Sequence, residues 1–327
     1  MSEEMERNLA LELVRVTEAA AIAAGRWIGR GDKNGADGLA VDAMRSALAR
    51  IEMDGVVVIG EGEKDEAPML YIGEEIGNGR PPRVDIAVDP IDGTRLLALG
   101  MPGAVAVVAL AARGTMYSAP PGIYYLEKIA VGRRARGAID VGASVSQNIY
   151  AVSRALGREK GNITVMVLDR PRHEKLINDI RATGARVLLI TDGDVAGSIA
   201  AASEGTGVDM LMGTGGAPEA VVAACALKAL GGDMQCKLYF RSEDERKSVV
   251  EAGIDPEKVL TIDDLVTSDD VFFAATGITS GELLHGVIYS ETSITTESVV
   301  MRARSGTIRY IKAVHHEDKL SRIMGRS

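Results

Sequence analysis

The chain has little of what several protein classes require. Its 327 residues contain only two cysteines, Cys225 and Cys236, with neither CxxC nor Cys/His zinc spacing. That excludes a disulfide-stapled scaffold and a zinc module, and it fits a reducing compartment. Lys and Arg number 37 against 46 acids, the formal charge is −9, and no run of five Lys or Arg offers a polyanion a landing patch, which argues against nucleic acid and acidic membranes as partners. Long apolar runs are missing as well: the longest, Ala104 to Ala112, falls far short of the ~20 residues that span a bilayer. The opening MSEEMERN is acidic where a signal peptide is basic, so a cytoplasmic protein with no membrane partner is expected. There is no fixed-period repeat and no low-complexity tract. No strand is followed by Gly-x-Gly-x-x-Gly with an acid ~20 residues on, which makes dinucleotide binding a weak reading.

What is present is 46% apolar and 25% charged residues, the composition of a globular protein long enough for two layered units or one large one. Glycine is plentiful, 37 residues or about 11% against a usual ~7%, which asks for many tight turns and favours a binding enzyme over a helical bundle. Apolar positions Leu9, Leu13, Val16, Ala20, Ala23 and Trp27 recur at helical steps, and Gly31 follows as a stop signal. A second helix is expected from Gly38 to Ile51 with Asp37 as its N-cap. The β-branched run Val56–Ile59 reads as a strand ending in Gly60-Glu61-Gly62-Glu63, and Val84–Val88 as another ending in Asp89-Pro90-Ile91-Asp92-Gly93-Thr94, where Pro90 and Gly93 should stop it. Ala104–Ala112 and Thr115–Ser118 flank Arg113-Gly114 like a hairpin.

Beyond Gly157 strands and helices alternate: strand 164–168, helix 174–182, strand 186–190, helix 195–202, strand 208–212, helix 217–230. That order predicts an α/β arrangement with a largely parallel sheet, whereas residues 1–157 read as an α+β half with a mixed sheet. The segments Asp169-Arg170-Pro171-Arg172, Asp192-Gly193-Asp194 and Gly213-Thr214-Gly215-Gly216 read as connections after strands, where ligands sit in open α/β sheets. Strands at Val271–Ala275 and Ile294–Arg302 close the chain.

Asp37, Glu61, Asp89 and Asp92 stand at predicted element ends, with no Lys or Arg spaced to guarantee a salt bridge. If they converge in a partly buried cleft, each unpaired charge costs several kcal/mol, so a cation is the economical compensation. Oxygen-only ligands select Mg²⁺ or Mn²⁺, commonly shared with substrate phosphate oxygens. In the Asp89–Thr94 string, Gly93 permits close backbone approach and Thr94 supplies a hydroxyl at a helix start. Acids at strand ends are as often simple caps or solvated turn residues, and the joint pattern outweighs any one of them. Arg170 and Arg172 have the fork geometry that clamps phosphate.

The string Asp89-Pro90-Ile91-Asp92-Gly93-Thr94 resembles the signature of the lithium-sensitive, metal-dependent sugar and inositol phosphatases. A narrower resemblance is to the class II bacterial fructose-1,6-bisphosphatases. It rests on Gly29–Asn34, Ile59–Glu63, Asp65–Leu70, Arg170-Pro171-Arg172-His173, Asp192-Gly193-Asp194 and Gly215-Gly216-Ala217-Pro218-Glu219, and runs from about Leu9 to the C-terminal region. It implies a layered sugar-phosphatase fold, a metal-binding half over 1–157 and a sugar-phosphate-binding half over 158–327. It implies metal ligands at Asp37, Glu61, Asp89, Asp92 and Glu219, the family often having Glu at the position of Asp92. Substrate contacts fall on Asp92, Gly93, Thr94, Tyr125 (with Tyr124 the alternative), Arg170, Pro171, Arg172, Asp192, Gly193, Asp194 and Gly216. Five carboxylates and two divalent ions leave about −1 before a phosphate of nearly −2 arrives, which the two arginines offset. His173 is not required by the chemistry.

The expected reaction is gluconeogenic hydrolysis of the 1-phosphate of fructose 1,6-bisphosphate, with one ion acidifying a water and the other stabilising the leaving alkoxide. Asp65 or Thr94 is the candidate to take the water's proton. The family likeness also implies a homodimer or homotetramer. Sedoheptulose 1,7-bisphosphate, alone or as a second substrate, differs by one carbon and would be separated by kcat/KM. Inositol-type phosphatases share the Asp89–Thr94 string but carry a Trp-Asp pair in their second half, where this chain has Gly215–Glu219 and its one tryptophan is Trp27. A rival of another class is a non-catalytic sugar-phosphate sensor, which would bind phosphate without releasing any.

Overall fold

The computed structural model describes residues 9–60, 70–120 and 122–316. The chain begins with α1 (Leu9–Gly25), α2 (Lys33–Leu48), β1 (Asp54–Ile59), β2 (Glu75–Gly77), β3 (Arg83–Asp92), α3 (Thr94–Leu99) and β4 (Val105–Ala112). It continues through β5 (Tyr125–Val131), α4 (Val145–Leu156), β6 (Thr164–Leu168), α5 (Glu174–Ala182), β7 (Arg186–Ile190), α6 (Asp194–Ala202), β8 (Met210–Gly216) and α7 (Ala217–Leu230). The remaining elements are β9 (Asp233–Tyr239), α8 (Glu243–Glu251), β10 (Leu260–Thr261), α9 (Ile262–Leu265), β11 (Val271–Gly277), β12 (Ile288–Tyr289), β13 (Ser293–Arg302) and β14 (Thr307–His316). This is an α/β protein with two mixed sheets.

Two compact units emerge, one formed by the described chain up to Met116 and again from Ser268, the other by Tyr117–Thr267. They do not part where the sequence pattern changes near residue 157. β5 lies before that point, yet it pairs along its length with β8 and β9. β11 and β13 lie after it, yet β11 bridges β4 to β13 in the first sheet. Neither 1–157 nor 158–327 closes a sheet alone, because strand pairing joins segments far apart in sequence.

The first unit carries the sheet β12-β13-β11-β4-β3-β1-β2, with β14 on β13. β1 and β3 run parallel and the other neighbours antiparallel. β11 is buried along its whole length and β4 along nearly all of it, which explains their unbroken apolar sequences, since a strand covered on both faces has no polar face to show. The periodic positions Leu13, Val16 and Ala20 of α1 are buried in this unit's core with Phe272 and Leu110, each large side chain contributing about 1.5–3 kcal/mol.

Three local expectations are corrected. α2 starts at Lys33, where the Asp32 carboxylate caps it by accepting Gly35 N–H at 3.0 Å; Asp37 therefore lies inside the helix and is not its cap. β3 runs through Pro90 and stops at Gly93, because a one-residue bulge between Asp89 and Asp92 accommodates the missing N–H of proline. The hairpin around Arg113-Gly114 does not form. β4 already has β3 and β11 as neighbours, and the N–H groups of Thr115 and Met116 donate to Oδ2 of buried Asp85 at 2.8 and 3.1 Å.

The second unit is the sheet β10-β9-β5-β8-β6-β7. It is parallel across β8, β6 and β7, where the predicted helices cross over, and antiparallel through β5, β9 and β10. The glycine-rich 213–216 segment, read as a connection, is the last part of β8. Among the described residues no helix is long and apolar enough to cross a membrane.

Candidate active site

In the first unit the end of β3 holds the acids predicted for the Asp89–Thr94 string. Residues three apart in a regular strand face opposite sides, and the bulge between Asp89 and Asp92 offsets that alternation. The Asp89 Oδ1 accepts Ile91 N–H at 3.0 Å, closing the turn. Asp92 is buried. Gly93 takes φ 95° and ψ 42° ahead of α3, and a Cβ there would lie 2.9 Å from Leu96 Cδ1, so the position belongs to glycine on both counts.

α2 brings Asp37 to this loop. The Thr94 hydroxyl lies 3.2 Å from Asp37 Oδ1 and 3.2 Å from the Ile91 carbonyl. Burial pushes the Asp37 carboxyl from an ordinary 3.8 up to about 6, against the smaller downward pull of the Thr94 bond and of Lys33. Desolvation dominates here. Glu61 and Asp65 lie outside the described residues.

The second unit gathers the remaining predicted residues along one end of its sheet. Asp192 follows β7, Gly193 adopts φ 85°, and Asp194 opens α6. Asp194 is 6% exposed and pairs with the ammonium of Lys128, itself 1% exposed, at 2.6 Å. Lys128 Nζ also lies 3.5 Å from the Gly216 carbonyl. Glu219, in the first turn of α7, has a buried Oε2 with no hydrogen-bond partner. Burial and the Asp194 charge raise its pKa, and Lys128 pulls it down. Gly215 and Gly216 are cradles: a Cβ on Gly215 would collide with Asp194 Oδ2, and one on Gly216 with the Glu219 carboxylate.

Arg170 donates from Nη1 to Thr191 O at 2.5 Å and reaches Asp192 at 3.4 Å. Arg172 donates to Thr214 O from Nε and Nη2, at 3.2 and 2.7 Å, and lies over the Tyr125 ring at 5.5 Å. Pro171 begins the 3₁₀ turn Pro171–His173, which carries Arg172 and leads into α5. Tyr124, more exposed, stacks under Arg241 instead at 4.7 Å. His173 is buried; its Nδ1 lies 2.7 Å from the Leu168 carbonyl and its Nε2 accepts Thr214 N–H at 2.8 Å. Nδ1 is then the protonated nitrogen and the ring is neutral, in keeping with a pKa lowered first by burial. It clamps the end of β6 to β8 and so supports Arg172 through Thr214.

Among the described residues no group of three or more Asp, Glu, His or Cys side chains is arranged to hold a metal ion by itself. The donors nevertheless fit a hard cation. In the second unit Glu219 Oε2 is a buried oxygen without a hydrogen-bond partner, and in the first unit Asp37 is a carboxyl whose charged form burial disfavours; each suits a divalent cation, and oxygen donors select Mg²⁺ or Mn²⁺ over softer metals. Sequence reasoning missed Lys128. Its only signal is a charged residue inside the otherwise strand-like Leu126–Val131 run.

The model of the family described as bacterial fructose-1,6-bisphosphatase, glpX-encoded, matches residues 7–315. The class 2 fructose-1,6-bisphosphatase of Haemophilus influenzae is 46% identical over 333 residues, covering 98% of this chain and 99% of the relative. The fructose-1,6-bisphosphatase 1 class 2 of Escherichia coli K12 is also 46% identical, covering 96% of this chain and 97% of the relative.

Proposed function

Because the chain belongs to the glpX-encoded bacterial fructose-1,6-bisphosphatase family, we propose that it is a phosphoric monoester hydrolase that converts fructose 1,6-bisphosphate to fructose 6-phosphate and inorganic phosphate. It works on the gluconeogenic route, in the cytoplasm, as a homodimer or homotetramer. Asp37, Glu61, Asp89, Asp92 and Glu219 hold two divalent ions, Mg²⁺ or Mn²⁺. Bound there, the ions supply Lewis acidity for the attacking water and for the departing sugar oxygen.

The observation that carries this reading is the contact of Asp37 with the Asp89–Thr94 loop through Thr94 Oγ1. It joins two carboxylate-bearing segments 57 residues apart around one hydroxyl. Thr94 is the candidate to relay the attacking water's proton, taking it at Oγ1 as it gives its own to Asp37 Oδ1, 3.2 Å away. Asp65 is the other candidate base. Arg170 and Arg172 bind the phosphate; Arg172 has Nε and Nη2 turned to Thr214 O, which leaves Nη1 for an anion. Tyr125 shares Arg172's stacking and is preferred to Tyr124 on that ground. Asp192, Gly193, Asp194 and Gly216 receive the sugar, with Gly93 and Pro171 shaping the turns that carry Thr94 and the arginines.

Asp89→Asn tests the assignment. It should forfeit several kcal/mol of charge stabilisation, roughly a thousandfold in phosphate release, and weaken Mn²⁺ binding measured by calorimetry. Normal turnover by this variant would rule out the ligand set.

A further inference from the structure

Lys128 occupies an electrostatically unfavourable place. On β5 the residues alternate between faces: Ile129 and Val131 join the apolar cluster that includes Ile149 and Ile177, while Lys128 shares the opposite face with Leu126 and Ala130. Its neighbours there are α6 and α7, whose first turns carry Asp194 and Glu219. Helix N-termini carry partial positive charge and repel a cation, so a wholly buried ammonium needs a carboxylate beside it to remain there.

The three charges are not equivalent. Lys128 Nζ makes its close contact, 2.6 Å, with Asp194 Oδ2, and 3.5 Å separates it from the Gly216 carbonyl. Asp194 Oδ2 and Glu219 Oε2 are both buried oxygens without a well-directed hydrogen bond, but only Asp194 Oδ2 has the ammonium at ion-pair distance. One ammonium against two carboxylates leaves a charge of −1, and the pairing decides which acid carries it. Asp194 is neutralised and oriented, with one oxygen committed to Lys128; Glu219 is left with an unmet demand for a cation.

We propose that Lys128 is a positioning residue that divides the roles of these two acids: it withholds Asp194 from the ions and holds it as an acceptor for sugar hydroxyls, leaving Glu219 as the ligand. This deepens the proposed function and rests on its reading of Asp194 as a sugar contact. Without the ammonium, Asp194 and Glu219 repel each other and become alternative ligands for the same cation, and the sugar loses a fixed acceptor. Gly215 permits the arrangement, because a Cβ there would collide with Asp194 Oδ2 and approach Lys128 Cε and Nζ at 2.8 and 2.9 Å.

The test compares two ligands that share a phosphate but not a sugar. Dissociation constants of fructose 6-phosphate and of inorganic phosphate are measured by calorimetry in Mn²⁺ on the full chain, for wild type, Lys128→Met, Asp194→Asn and Gly215→Ala. Each variant should bind fructose 6-phosphate about tenfold more weakly or worse and keep phosphate within about twofold. The Lys128→Met/Asp194→Asn double variant should lose no more than the worse single one, as coupled residues do. Gly215→Ala separates the pair with both charges kept, so it decides the matter if Lys128→Met does not fold. Wild-type sugar-phosphate affinity in folded Gly215→Ala or Lys128→Met would overturn the proposal. So would equal losses for the two ligands, which would mark a purely structural role. A wild type that binds fructose 6-phosphate no more tightly than phosphate would instead refute the reading of Asp194 beneath it, with no variant involved.

Discussion

Asp37 shows how burial alone can favour the protonated form of a carboxyl. Its carboxyl is raised from an ordinary 3.8 to about 6 chiefly by burial, so the folded protein binds this proton more tightly than the unfolded chain. Stability associated with that proton is therefore full below the unfolded value and is lost as pH rises through about 6. In metal-free protein, Asp37→Asn should melt higher than wild type at pH 7, and the gap should open between pH 4 and 6. Parallel melting curves across that range would show that Asp37 is not desolvated. Asp37 and the acids of the Asp89–Thr94 string stood out by residue type and position at predicted element ends, and the structure brings Asp37 to that loop. Lys128 did not stand out, because a lysine within a strand gives no sequence sign of being buried against two acids from later helices.

At the scale of elements, the turn after β3 concentrates backbone demands. Gly93 sits at φ 95° with Leu96 Cδ1 2.9 Å from where a Cβ would be. Gly93→Ala should cost about 1–2 kcal/mol for the left-handed conformation alone, and more if Leu96 cannot yield. Because Thr94 follows directly, phosphate release should fall further than the loss of stability explains; a variant that melts normally with full activity would mean that the turn relaxes freely. The sequence located α5, α7, β6 and β7 at their observed bounds, since local periodicity and flanking glycines specify crossover units. β5 and β9 were missed because they pair with each other from more than a hundred residues apart; β14 was missed although it forms a hairpin with the neighbouring β13, because it is largely exposed and its polar positions blur the pattern. The Arg113-Gly114 turn misled because Asp85, 30 residues earlier, takes the Thr115 N–H that a hairpin would have used.

For the molecule as a whole, a net charge of −9 and a site rich in carboxylates make an anionic substrate an unfavourable guest unless cations and the arginines turn the local field. Strand pairing between distant segments fixed the two units in a way that composition along the chain did not reveal, whereas the family resemblance, being spread over motifs from Gly29 to Glu219, was legible throughout. The most direct test is phosphate release from fructose 1,6-bisphosphate by the chelator-stripped full chain, followed by titration with Mn²⁺ and, separately, Mg²⁺. Release should be absent after stripping and should return with at least one of the two ions, to half its maximum at a concentration that matches the ion's own binding constant. Full release from the stripped protein, or none with either ion, would contradict the account.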